Sequence, residues 1–139
     1  MLSYRPKVRP SEMIKVSCSR DAYEALLASW SEDIEYREEF KVILLNRASK
    51  ILGIAKVSEG GIAGTVCDAI IIMQAAILSN ATAIILAHNH PSGSTIPSQA
   101  DNDLTSKIKG FCGFIDITLQ DHIIVTQEGY FSFADEGQL

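Results

Sequence analysis

The chain has 139 residues, 47% hydrophobic and 21% charged, enough apolar material for one globular domain with a real core. Its formal net charge is −5, with 12 Lys and Arg against 17 Asp and Glu. That argues against a general nucleic-acid binder, which needs a basic face to neutralise phosphates. The longest apolar runs, such as Ala69–Met73 and Ala81–Ala87, are far too short to span a bilayer.

Residues 1–12 contain Pro6 and Pro10 and read as a loose lead-in, with Arg5, Lys7 and Arg9 as a small basic cluster. Its polar, proline-containing start is not the pattern of a signal peptide. Residues 13–139 read as a single domain. Met13–Cys18 alternates weakly, as a short edge strand would. Ser19 or Asp21 caps a helix running to about Trp30, with Tyr23, Leu26, Leu27 and Trp30 on one face. Phe40–Leu45 is strand-like, Arg47–Lys50 is a polar turn, and Ile51–Val57 returns as its antiparallel partner. Ser58–Gly64 is a glycine-rich turn that lacks the Lys and Ser/Thr of a phosphate-binding P-loop. A helix then starts at Thr65 or Asp68 and runs to about Ser79, apolar on nearly all sides.

Asn80 ends that helix, and Ala81–Ala87 is a continuous apolar strand. It runs into His88-Asn89-His90. Residues i and i+2 of a strand point to one side, so both imidazoles can aim at one point, with Cβ atoms ~7 Å apart. A turn of Pro, Ser, Gly and Thr follows, then Ser98 and Asp101 at the head of a helix running to about Gly110. Ser98-x-x-Asp101 is a capping-box pattern, and an Asp in the first helical turn can also supply a third metal ligand. Two His and one carboxylate leave a fourth zinc position open to water, as in a catalytic site. Leu104, Ile108 and Phe111 form the expected buried stripe of this helix. Ile115–Leu119 and His122–Thr126 read as strands around Gln120-Asp121, and Gly129–Phe133 as a closing turn and strand. Cys18, Cys67 and Cys112 show no C-x-x-C spacing. They read as reduced thiols of a cytoplasmic protein, as small buried hydrophobes rather than ligands.

His88-x-His90, seven residues, then Ser98-x-x-Asp101 resembles the JAMM (MPN-type) metalloprotease signature. The fuller string, His88-Asn89-His90-Pro91-Ser92-Gly93 with Pro97-Ser98 and Asp101, resembles the RadC branch of that family, and the likeness extends from about Tyr36 to Leu139. It implies an α/β fold, a mixed β-sheet sandwiched by helices and related to the cytidine-deaminase fold. It also implies one zinc per chain and hydrolysis of a peptide or isopeptide bond. RadC-type proteins commonly carry a helix-hairpin-helix segment ahead of this domain, and these residues leave no room for it, so a stand-alone catalytic domain is expected.

In the RadC pattern a glutamate stands two residues before the strand's Phe, within an R-E-x-F string. Arg37-Glu38-Glu39-Phe40 matches, which carries the catalytic role to Glu38. Alternation puts Glu38 and Glu39 on opposite faces, so only one of them can face the metal. Asp121-His122-Ile-Ile-Val also matches; His122 either lines the site or serves the core. The family's Pro-Arg-Glu string near the start of the second helix is replaced by Cys67-Asp68-Ala69, which bears on contacts made there rather than on the metal ligands. In the implied chemistry Glu38 is the general base and Ser98 donates to the developing oxyanion.

Three other classes compete. A zinc nucleobase deaminase needs H-x-E and P-C-x-x-C, both missing from this chain. An HNH nuclease shares only three letters. A non-enzymatic DNA-repair accessory module, the role attached to the RadC name, would not need an intact His/His/Asp set with its glutamate. The acidic balance predicts no tight DNA binding by this domain, and the short apolar runs predict no membrane partner; the expected partner is a protein or peptide substrate.

Overall fold

The computed structural model describes residues 9–59 and 66–139. Most of the lead-in, the glycine turn beyond Glu59 and the helix start at Thr65 lie outside the described residues. The elements are α1 (Ser19–Ser29), β1 (Glu39–Leu45), β2 (Ile51–Glu59), α2 (Val66–Leu78), β3 (Ala83–Asn89), α3 (Gln99–Phe114), β4 (Thr118–Val125) and β5 (Tyr130–Ser132), with a 3-10 turn at Pro10–Glu12. The strands form one mixed sheet in the order β2-β1-β3-β4-β5. β1 is antiparallel to both β2 and β3, β3 and β4 are parallel, and β5 is antiparallel to β4.

This topology dictates where the helices go. β2 and β3 are both antiparallel to β1 and hence parallel to each other, so α2 is a crossover helix, as α3 is between β3 and β4. Both crossovers advance in the same direction across the sheet, and the right-handed rule then puts both helices on one face. Phe40, Val42, Ile84 and Leu86 meet Ile72 of α2 and Ile108 of α3 there. The alternate residues Ile43, Leu45, Ile85 and Ile123 point the other way and pack under α1 through Ala22, Tyr23 and Leu26. The fold is therefore the helix–sheet–helix α/β sandwich that the sequence resemblance implies.

Local chemistry fixes the turns. The Asn46 side chain accepts from the backbone N–H groups of Ala48 and Lys50, closing the β1–β2 hairpin. Asn80 takes φ 57° and stops α2. Asp21 accepts from the Ser17 N–H at 2.8 Å, while Ser19 is the first residue of α1 rather than its cap.

Four expectations need correction. Met13–Cys18 makes only an isolated bridge between Lys15 and Lys50, because the chain touches the hairpin at one point and then turns into α1. The third helix runs four residues past Gly110, and its Phe111 is 40% exposed; Cys112 takes the buried place beside Ile108. Cys18 is exposed rather than buried. The two strands around Gln120-Asp121 are one strand, β4. Ile84 pairs with Leu119 and Ile85 with Asp121, so Gln120 is an extra residue, a β-bulge. The break in alternation there reads as a turn in sequence, but the ladder continues through it.

The all-round apolar α2 has one inward face. Ile72 is fully buried, whereas Ile77 is 55% exposed. Ile72→Ala should cost about 2–5 kcal/mol. Ile77→Ala should stay within about 0.5 kcal/mol. Urea unfolding of the two variants checks this; equal losses would mean that α2 is docked in a different rotation.

Candidate metal centre

The site sits at the edge where the C-terminal end of β3, the N-terminal end of β1 and the head of α3 meet. Open α/β sheets form their crevices outside the carboxyl ends of parallel strands. His88 ends the apolar run on the α2/α3 face, directly across from Phe40 of β1, whose ring stacks on it at 5.9 Å. His90 follows on the same side. The chain then turns through Gly93, which takes φ +85°, a backbone conformation open to glycine. That turn brings the Ser94 carbonyl back to within 2.9 Å of His90 Nδ1.

Ser98 is the N-cap of α3 and forms a full capping box with Asp101. Asp101 N–H donates to Ser98 Oγ at 3.1 Å, and Ser98 N–H donates to Asp101 Oδ2 at 2.7 Å. The cap pins the buried Asp101 carboxylate with one oxygen toward each histidine. Asp101 Oδ1 is 3.1 Å from His88 Nε2, and Oδ2 is 3.3 Å from His90 Nε2. The two Nε2 atoms are themselves 2.9 Å apart. His88, His90 and Asp101 each offer a ligand atom within 4.8 Å of the others, and the cluster can hold a metal ion.

The hydrogen bonding supports that fit. The Ser94 carbonyl can only accept, so His90 Nδ1 carries a proton and a neutral His90 presents its lone pair at Nε2. That lone pair faces a second imidazole nitrogen and a carboxylate, all acceptors, and something positive belongs between them. The hydrogen bond to Asp101 raises the His90 pKa; burial opposes this, and the Ser94 carbonyl and the charges of Asp101 and Glu38 add to it. For Asp101 burial is the largest influence and pushes its pKa up. The hydrogen bonds from His88 and His90, with the charge of His88 and the Ser98 N–H, outweigh it and hold the carboxyl well below the usual range.

The two glutamates diverge. Glu39 turns to the α1 face and is buried, 3.9 Å from Lys41 Nζ and 3.7 Å from Lys56 Nζ. Lys41 in turn lies 4.6 Å over the Trp30 ring. Glu38, just ahead of β1, is half-buried, and its charge adds to the upward shift of the His90 pKa. Ser98 Oγ accepts from the cap, which leaves its O–H free to donate.

Asn89 was not legible as a site component, and His122 was legible only as belonging either to the site or to the core. Asn89, between the histidines, points to the opposite face. Its Oδ1 accepts from Glu39 N–H at 2.7 Å, and its Nδ2 donates to the carbonyls of Ile34 at 2.6 Å and Arg37 at 2.8 Å. It therefore clamps the segment that carries Glu38 onto β3. Its partners lie 50 or more residues away in sequence, beyond any local pattern. His122 is fully buried, with Nε2 2.9 Å from His88 Nδ1 and Nδ1 2.6 Å from Thr105 Oγ1. Burial, reinforced by the charge of His88, pulls its pKa well below the ordinary histidine value, so it is neutral. The bulge at Gln120 puts it there. If the same sequence paired without the bulge, the alternation that sends Leu119 to the α3 face would set His122 beside Ala87 and send it to the α1 face.

No cysteine joins the cluster among the described residues. Cys112 is buried in the core, and burial pushes its thiol pKa up to about 11. The side chains of Cys67 and Asp68, in the string that departs from the family pattern, lie outside the described residues. No described helix is long and apolar enough to cross a membrane.

Comparison with known proteins agrees with the geometry. Residues 16–138 match the RadC-like JAB domain. A UPF0758 protein of Flavobacterium johnsoniae is 42% identical over 123 residues, 88% of this chain and 53% of the relative. A UPF0758 protein of Porphyromonas gingivalis is 42% identical over 125 residues, 89% of this chain and 54% of the relative. The UPF0758 protein YfjY of Escherichia coli is 39% identical over 103 residues, 74% of this chain and 64% of the relative. The chain thus spans about half the length of the first two of these relatives.

The Asn89 clamp generates a test. Asn89→Ala removes one buried acceptor and two donors and leaves their backbone partners unpaired. It should cost about 2–4 kcal/mol, summed over three buried hydrogen bonds. Denaturant unfolding measures it; a loss under about 0.5 kcal/mol, the range of a neutral surface change, would show that the clamp carries no stability.

Proposed function

The chain belongs to the RadC-like JAB domain family, and from that premise we propose that it is a zinc-dependent hydrolase of the JAMM type, cleaving a peptide or isopeptide bond. The observation that carries this reading is the convergence of His88 Nε2, His90 Nε2 and the Asp101 carboxylate on one point.

In this reading His88, His90 and Asp101 would hold a zinc ion, two imidazoles and a carboxylate being a donor set that suits it. The chemistry a zinc ion would supply there is Lewis acidity, which brings the pKa of water down to about 7 and polarises a carbonyl. The Glu38 carboxylate takes the proton of the attacking water and passes it to the leaving amine. The free Ser98 O–H donates to the oxyanion as it develops, while its oxygen goes on capping α3. Phe40 and the buried strand ends close the floor of the site and keep bulk water from its rear.

A non-enzymatic accessory module remains the rival from another class. It differs in one respect that can be tested: scaffolding needs no proton acceptor at Glu38. The name UPF0758 protein states no activity for the relatives, so the substrate is to be found by peptide-library cleavage.

Purified protein reconstituted with zinc should hold one ion per chain, and Asp101→Ala should abolish that stoichiometry. Glu38→Gln should keep the ion and lose about 10²–10⁴-fold in cleavage rate, the range for a general base. Glu39→Gln should leave the cleavage rate near wild type. Metal analysis alongside the cleavage assay reads all four. Wild-type protein that binds zinc but cleaves nothing, or a Glu38→Gln variant as active as wild type, would overturn the hydrolase reading.

A further inference from the structure

A metal-ligating imidazole can offer only the nitrogen that carries no proton, so something must hold its proton on the other ring atom. The usual holder is a carboxylate, a backbone carbonyl or a water. Ser94 O does this for His90. For His88 the partner at Nδ1 is a second imidazole, His122 Nε2, at 2.9 Å. An imidazole is an ambiguous partner, because either of its nitrogens can be donor or acceptor. Its direction has to be set from further out.

Thr105 sets it. Its Oγ1 lies 2.7 Å from the backbone carbonyl of Asp101 and 2.6 Å from His122 Nδ1, and both are buried. The carbonyl can only accept, so the hydroxyl hydrogen is committed to it. What remains on Oγ1 toward His122 is a lone pair, so Nδ1 of His122 must carry the ring's proton. Nε2 of His122 is then the acceptor, His88 Nδ1 the donor, and His88 Nε2 the nitrogen with a lone pair. All three bonds are satisfied together only in this direction, and they hold the His88 proton at Nδ1 against the pull of the Asp101 carboxylate, whose Oδ1 lies 3.1 Å from His88 Nε2 and would accept it there.

We propose that Thr105 and His122 are positioning residues for the metal centre, a relay that runs from the Asp101 carbonyl to His88 and holds its Nε2 lone pair toward the metal. The relay rests on the metal-centre reading above and gives a reason for two features outside the ligand set. The Gln120 bulge turns His122 to the face where it meets His88. His122 is then held flat by Phe133, stacked at 4.7 Å, with Phe40 edge-on at 5.9 Å. The relay also starts and ends on metal-ligand residues, since the carbonyl it starts from belongs to Asp101, one turn of α3 before Thr105. Removing the hydroxyl frees His122 to move its proton to Nε2, toward His88. His88 must then accept at Nδ1 and carry its own proton at Nε2, where the metal should bind.

The isosteric Thr105→Val, which loses the hydroxyl, and Thr105→Ser, which keeps it and loses the methyl, separate this role from packing. Long-range ¹⁵N–¹H NMR of the metal-free protein at mildly alkaline pH reads the tautomer of His88 directly, without any activity. Wild type and Thr105→Ser should show the proton on Nδ1, and Thr105→Val should show it on Nε2 or exchanging between the two. Zinc affinity by chelator competition should fall about 10–100-fold in Thr105→Val and His122→Phe, the range for losing an outer hydrogen-bond partner, and should be near wild type in Thr105→Ser. Wild-type His88 protonated at Nε2, or a Thr105→Val variant with the tautomer and zinc affinity of Thr105→Ser, would overturn the relay. Wild-type protein with the expected tautomer but no zinc affinity would instead remove the metal reading on which it rests.

Discussion

Two imidazole nitrogens and a carboxylate, all presenting lone pairs to one buried point, repel one another unless a positive charge sits between them. The rest of the architecture holds that repulsion in place. β3 is buried on both faces and flanked by β1 and β4, so His88 cannot swing away. The capping box at the head of α3 locks Asp101 by two backbone bonds, and a helix N-terminus is where a carboxylate is favoured. Taking these groups out of water is costly, and the cost is borne by the sheet and helices packed behind them.

The two faces of the sheet divide the labour. The α2/α3 face carries His88, Asp101, Thr105 and His122, with Phe40 beneath. The α1 face takes Asn89, Glu39 and Lys41, which tie the segment ahead of β1 to the sheet. Glu39 is thereby taken up in a buried pairing with Lys41 and Lys56, while its neighbour Glu38 stays half-buried outside the strand. Asp121 extends the same logic beyond the site. It is buried, accepts from Ser132 Oγ at 2.6 Å and from the Ala134 N–H at 3.0 Å, and so ties β4 to β5 and the C-terminal turn. Burial raises its pKa against those bonds.

What could be read from the sequence follows the range of the interactions. The His88-x-His90 pair at the end of an apolar strand, and Ser98-x-x-Asp101 at a helix start, are local patterns with local causes, and the structure places all four residues as their spacing implies. The β1–β2 hairpin was legible for the same reason. Gln120 was not, because a bulge and a turn break the same alternation, and only pairing with β3 tells them apart. Asn89 looked like a spacer because its partners Ile34 and Arg37 lie in an irregular segment far away in sequence. The orientation of α2 was hidden by apolar residues on every side, and that of Phe111 by an extra turn that carried α3 past Gly110. His122 stood undecided between core and site, and the structure makes it both buried and bonded to His88.

The most direct test of the account is the coordination shell itself. X-ray absorption of the zinc-loaded protein should show nitrogen and oxygen scatterers at about 2.0–2.2 Å, with the outer-shell signature of two imidazoles and no sulfur. A sulfur shell at about 2.3 Å, or the absence of imidazole scattering, would contradict the assignment of His88, His90 and Asp101 as the metal centre.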